Sequence, residues 1–221
     1  MRIRSFIIAY SLVLAILLFA DRRPKPVPQP RYTSVVDLTV VDDPAVHRKN
    51  SGTRIIAPAD LIPGTWAAGQ IPAERLIAPL VVMDLKRTRD QKPSPECPGP
   101  LTLDDIAAWE TRYGVVPQGS VVAIRCSGAV NSTSNTALPI TTDAAQFLMD
   151  ARYTLGFAIE TPAQLSSDRT LSRQLALHGS YVVEGATRLA SLPESGSLVI
   201  VAPAKSKNAA ESPVRILAMV K

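Results

Sequence analysis

Residues Leu101–Arg125 read LTLDDIAAWETRYGVVPQGSVVAIR, and this stretch decides the fold class. Thr102 and Asp105 are spaced as a capping box, in which each side chain can satisfy the other's backbone N–H. Ile106, Trp109 and Tyr113 then fall on one side of a helix, and Gly114 can end it. The pattern predicts a helix over Thr102–Tyr113. Ser120–Arg125 follows as an unbroken apolar run closed by arginine, which suits a strand buried on both faces.

The same grammar recurs on either side. Strands are predicted at Ser34–Val41, Leu76–Leu85, Gly156–Ile159, Tyr181–Val183, Ser197–Val201 and Val214–Met219. A helix over Thr142–Tyr153 carries Ala144, Phe147, Leu148 and Ala151 as a core-facing stripe. A shorter helix is expected near Asp168–Leu177. Strands that alternate with helices, followed by strands joined without them, define an α/β domain with a mixed sheet. No internal repeat is present.

The chain has 221 residues and a net charge of +5. Residues 1–31 hold six basic residues and one acidic, 6 − 1 = +5, and residues 32–221 hold 18 of each, so the body is neutral. A protein that neutralises many phosphates needs surplus Lys and Arg on its folded surface, so a general nucleic-acid binder is excluded.

The basic tail has three parts. Met1–Arg4 is a charged start, Ser5–Ala20 is an uncharged apolar run, and Asp21–Arg31 is a proline-punctuated spacer. The first two form an export signal. Leu18 at the −3 position disfavours cleavage after Ala20, so a retained signal anchor is expected ahead of a cleaved peptide. The domains are thus a signal segment at 1–20, a Pro-rich linker at 21–31 and a folded body at 32–221. The body is expected outside the cytoplasm, membrane-anchored or free.

Two histidines, His47 and His178, cannot build a zinc site of three or four imidazoles. Each reads as a surface or hydrogen-bonded structural residue. Cys126 ends an apolar strand and reads as a buried thiol ahead of a disulfide with Cys97. Ser127, Ser172 and Ser180 lack a nucleophile elbow, and no glycine-rich phosphate loop occurs.

The order of segments resembles the cyclase family, which includes bacterial kynurenine formamidases and isatin hydrolases. The resemblance runs from VVDLT at Val35–Thr39 through NSGTRIIAPAD at Asn50–Asp60, IPAERLIAPLVVMDL at Ile71–Leu85 and the Leu101–Arg125 stretch. It continues through Asp143–Thr161 and Tyr181–Pro193 to the end of the chain. It implies a swivelling β/β/α fold, a homo-oligomer, and a metal-dependent hydrolase that cleaves an amide such as N-formylkynurenine. The family signature, H-x-G-T-H-x-D-A-P-x-H, supplies imidazole and carboxylate ligands to Zn²⁺ or Mn²⁺. A later His and a Glu, twelve residues apart, complete that site.

The departures fall on the chemistry. By this resemblance Asn50 and Arg54 stand at the two metal-binding histidines, Ile56 at the aspartate ligand, Asp60 at the acid/base histidine, and Ser172 at the later histidine. Gly52, Thr53, Ala57, Pro58 and Glu184 are kept. Glu184 is the one matching ligand position, and Asn50, Thr53, Arg54 and Ser172 line the expected pocket. No cofactor is expected, or Zn or Mn if the site functions. Arg54 is expected to pair with Glu184 or Asp60 where the metal charge stood. Two readings follow. One is a cyclase-family domain without catalysis, working by binding or beside a relative. The other is an arylformamidase-like amide hydrolase rebuilt on Asp60, Glu184, Asn50 and His178.

Overall fold

A computed structural model describes residues 32–40, 52–85, 99–126, 138–161 and 169–221. Tyr32–Lys221 forms one compact unit. Its strands are β1 (Ser34–Asp37), β2 (Arg54–Ile56), β3 (Ile77–Asp84), β4 (Val121–Arg125), β5 (Gly156–Ile159), β6 (Tyr181–Glu184), β7 (Ser197–Pro203) and β8 (Glu211–Val220). Its helices are α1 (Pro58–Leu61), α2 (Leu103–Tyr113), α3 (Thr142–Arg152) and α4 (Arg169–Leu177).

The predicted helix at Thr102–Tyr113 forms as α2 for the expected reason. Thr102 Oγ1 accepts from the Asp105 amide at 3.3 Å, and the Asp105 carboxylate accepts from the Thr102 amide at 3.0 Å. Buried Trp109 then donates from Nε1 to the Val82 carbonyl at 3.0 Å, fixing α2 against β3.

β3, β4, β5 and β6 are parallel neighbours, with helices in the connections between them. β2 joins β6 antiparallel and β7 joins β3 antiparallel. β8 then closes the ring. One of its edges pairs with β7, and the other pairs with β2 at Glu211–Pro213 and with β1 at Leu217–Val220. The mixed sheet is therefore a barrel.

Alternation along each strand separates two cores. Ile55, Leu80, Val82, Val121, Ala123, Ala158, Tyr181, Val183, Val199, Val201, Val214 and Ile216 fill the barrel interior. Val81, Met83, Val122, Ile124, Phe157, Ile159 and Val182 point outward beneath α2, α3 and α4. Burial on both sides explains why β3–β5 read as continuous Val/Ile/Leu runs. Gly156 makes room inside: a Cβ there would lie 2.6 Å from the Tyr181 ring. The ring enters that space, and its hydroxyl donates to the Arg75 carbonyl at 2.8 Å.

Two expectations need correction. β1 ends at Asp37 rather than Val41: the Leu38 amide still donates to the Ile216 carbonyl, in register with β8, but the Leu38 carbonyl accepts from the Thr187 amide and the Ile216 amide donates to Thr39 Oγ1 instead. Cys126 is disulfide-bonded, not a free buried thiol. It sits one residue beyond the end of β4 and is partly exposed, so the apolar strand does not enclose it. The other cysteine of the chain, Cys97, lies outside the described residues, as do His47, Asn50, Ser127 and the apolar segment Ser5–Ala20. Among the described residues no helix is long and apolar enough to cross a membrane.

Candidate functional site

β2 is three residues long and points Arg54 and Ile56 to the outer face, with Ile55 between them in the barrel. In the antiparallel register Arg54 stands opposite Glu184 of β6, and Ile56 stands opposite Glu211 of β8. The outer faces of three strands thus bring one guanidinium and two carboxylates together. Arg54 Nη2 donates to Glu211 Oε2 in an ion pair. The sequence points to Glu184 or Asp60 as the partner and does not single out Glu211.

α1 begins at Pro58, directly after β2, and carries Asp60 in its first turn. The Asp60 carboxyl is held above the ordinary aspartate range. Desolvation is the largest cause, repulsion from Glu211 adds to it, and attraction to Arg54 opposes it. All three charges therefore act on one another. Glu184 is buried at the end of β6, and Ser172 is buried on α4, which packs against α1.

Thr53 belongs to the scaffold. Its buried hydroxyl donates to the Gly185 carbonyl and accepts from the Val40 amide, both at 2.7 Å. Its carbonyl accepts from the Val214 amide at 3.1 Å. One residue therefore ties β2 to β8, to the end of β6 and to the chain after β1. The approach is close enough that Gly185, with φ +68°, has no room for a Cβ: one would lie 2.8 Å from the Gly52 carbonyl oxygen.

His178 is placed elsewhere. It follows α4, before β6 begins, while Glu184 ends that strand. Its Nε2 lies 3.2 Å from Asp150 Oδ1 on α3, so the imidazole serves a helix contact. Of the rebuilt constellation of Asp60, Glu184, Asn50 and His178, His178 is thus engaged on α3 and Asn50 lies outside the described residues.

The donor set can be tested against a divalent ion. A catalytic zinc takes three protein ligands from His, Cys, Asp or Glu. The corresponding described positions hold Arg54, Ile56, Ser172 and Glu184. A guanidinium offers no lone pair and repels a cation, and the Ile56 side chain is buried hydrocarbon. Among the described residues no group of three or more His, Cys, Asp or Glu side chains could hold a metal ion. These residues do not fit the ion.

The Asp60 shift gives a prediction with a definite sign. Folding raises its pKa, so its contribution to stability is complete below the unfolded-state value. That contribution is lost as pH rises through the folded-state value. In an NMR titration of the Asp60 carboxyl, Arg54→Gln is expected to move the midpoint higher and Glu211→Gln to move it lower. A midpoint that ignores both substitutions would detach Asp60 from the pair.

Known proteins share this frame. Residues 24–164, more than half of the chain, match the family model "Putative cyclase". An isatin hydrolase of Roseibium aggregatum is 25% identical over 193 residues, spanning 78% of this chain and 72% of that protein. The structure of isatin hydrolase A from Ralstonia solanacearum superposes with a TM-score of 0.69 at 24% identity, covering 85% of this chain and 92% of its own. A structure described as a potential metal-dependent hydrolase with cyclase activity gives a TM-score of 0.63 at 21% identity, covering 84% and 96%.

Proposed function

We propose, starting from the fact that this chain belongs to the Cyclase family, that it keeps the hydrolase fold and works by binding rather than by metal-dependent hydrolysis. The observation that carries this reading is the Arg54–Glu211 ion pair at a metal-ligand position of β2. The protein's own cation stands where the family's divalent ion would stand. Glu184 opposite Arg54 in register, together with Ile56 in the core, supports the same reading.

The family resemblance makes N-formylkynurenine and isatin the substrates to try. The competing reading, an active amide hydrolase of the formamidase type, draws on Asp60. A carboxyl held above its usual range beside a second carboxylate is a candidate acid or base. We further propose that residues 1–20 take the body across a membrane and hold it there. The disulfide at Cys126 supports this, since such bonds persist in oxidising compartments.

The test is made on the full chain purified in detergent. Mass spectrometric metal analysis is expected to find less than about 0.1 zinc or manganese per chain, against about one for an occupied site. Isatin and N-formylkynurenine should be hydrolysed no faster than in buffer. Stoichiometric metal with turnover would establish the competing reading.

A further inference from the structure

The helices cover only part of the barrel. Outward residues of β2, β4, β5, β6 and the second half of β3 lie beneath α2, α3 and α4. Those of β1, β7, β8 and the start of β3 are not among the side chains packed there. Register sets Val35, Met219 and Leu198 in one row of this second face, and Leu217, Ile200 and Ile77 in the next. All six are apolar. Val35 is 60% exposed and Ile77 55% exposed, and the other four are part-buried. The charged side chains beside them, Asp37 and Arg215, pair at 3.0 Å and cancel. The face is therefore apolar and neutral, and a patch of that kind marks a contact with protein or membrane.

The course of the chain indicates which. β1 lies on this face and begins at Ser34, directly after Tyr32 and Thr33, which follow the Pro-rich spacer Asp21–Arg31. The Thr33 amide donates to the Val220 carbonyl at 2.8 Å. The chain therefore enters the body at the edge of the face, beside the C-terminal residue Lys221. Resting on the proposed retention of residues 1–20 in a membrane, we infer that this face of the body docks on the lipid bilayer. The apolar rows of β1, β8, β7 and β3 seat among the lipid headgroups.

Reach and charge both favour that occupant. The eleven residues of the spacer extend at most about 34 Å, at about 3.1 Å each, so the body never leaves the neighbourhood of the bilayer. A tether of that length gives the second contact an effective concentration on the order of millimolar, at which a modest apolar face is enough to hold. A soluble partner would have to be drawn from bulk onto the same small face. The spacer carries Arg22, Arg23, Lys25 and Arg31 against Asp21, and Lys221 is exposed at the near edge. Cations flanking an apolar insertion suit the phosphates of lipid headgroups. Tyr32, where spacer meets body, is a residue type that collects at such interfaces.

The test uses the full chain reconstituted into phosphatidylcholine vesicles, with Val35→Trp and Ile77→Trp made separately. These positions lie on different strands, so each gives its own reading, and circular dichroism reports whether each variant folds. Leu177→Trp and Val115→Trp serve as references, since those positions are 67% and 69% exposed and lie off the face, at the end of α4 and after α2. Lipids brominated along the acyl chain quench tryptophan on contact. With the emission of the unsubstituted chain subtracted, the tryptophan introduced at position 35 or 77 is expected to lose about half its emission. The reference tryptophans should lose less than about a tenth, because a docked face enters the bilayer by only about 5–10 Å. Extraction with alkaline carbonate separates the two readings. A chain that washes off the vesicles overturns the anchoring and the docking together. A retained chain with positions 35 and 77 unquenched, or with all four positions quenched alike, overturns the docking alone. So does a dimer in sedimentation whose tryptophans at 35 and 77 ignore brominated lipid, since a second copy would then cover the face.

Discussion

Arg125→Met is expected to lower the unfolding free energy by about 3–5 kcal/mol, the range for breaking a buried ion pair by removing one partner. Arg125 and Asp84 face each other directly in the β3–β4 register and point into the barrel in line with Leu80, Val82, Val121 and Ala123. Arg125 Nη2 lies 2.6 Å from Asp84 Oδ2, with the two side chains 3% and 9% exposed. Its Nη1 donates to the Leu189 carbonyl at 2.9 Å. The guanidinium therefore joins two parallel strands to the turn that follows β6, the strand whose last residue is Glu184. Removing it takes the guanidinium away from the buried Asp84 carboxylate and from Glu194, 3.9 Å from Arg125 Nη2. Arg125→Met with Asp84→Leu should recover most of the loss, to within about 1–2 kcal/mol of wild type, because a buried pair as a whole is worth little over packed hydrocarbon. Denaturant titration reads both values, with an unchanged slope confirming that only stability has moved. A single-variant loss below about 1 kcal/mol would show that water reaches Asp84.

That pair and the Arg54 pair show what a sequence displays and what it hides. α2 was legible because its signals are local: a capping box three residues apart, an apolar stripe and a terminal glycine. β3 to β5 were legible because burial on both faces leaves continuous apolar runs. β2 was not, since three residues carry no readable period. Nor was barrel closure, which depends on β8 dividing one edge between β2 and β1. Glu211 is 157 residues from Arg54, and no spacing rule links an acid that opens one strand to a cation on another. The family pattern pointed to Arg54, Asp60, Ser172 and Glu184, of which Arg54 stands opposite Glu184 in register and acts on the Asp60 carboxyl. Thr53 looked like a pocket residue by the same pattern, although its hydroxyl is spent on backbone bonds. Cys126 is misread because an apolar run that ends at Arg125 gives no sign that the next residue is partly exposed.

If the frame is intact and only the donors have changed, restoring donors should restore the ion. Arg54→His, Ile56→Asp and Ser172→His together would set two imidazoles and a carboxylate beside Glu184. Positions 54 and 56 already share the outer face of β2, and Glu184 already stands opposite 54. The triple variant is expected to bind Zn²⁺ at about 1 μM or tighter, against about 1 mM or weaker for wild type, a gain of at least about 1,000-fold. Stability supplies an independent signature. Ile56 is 6% exposed, so an aspartate there without metal should cost about 2–4 kcal/mol. Binding to the folded state alone then returns stability in proportion to the logarithm of free zinc. Thermal melts of the variant should therefore rise with zinc, while wild-type melts should not. Arg54→His alone should remain insensitive, because Ile56 and Ser172 still contribute no donor the ion can use. A triple variant that folds yet shows no zinc dependence would mean that β2, β6 and α4 have moved relative to one another, and that more than the side chains separates this chain from its metal-dependent relatives.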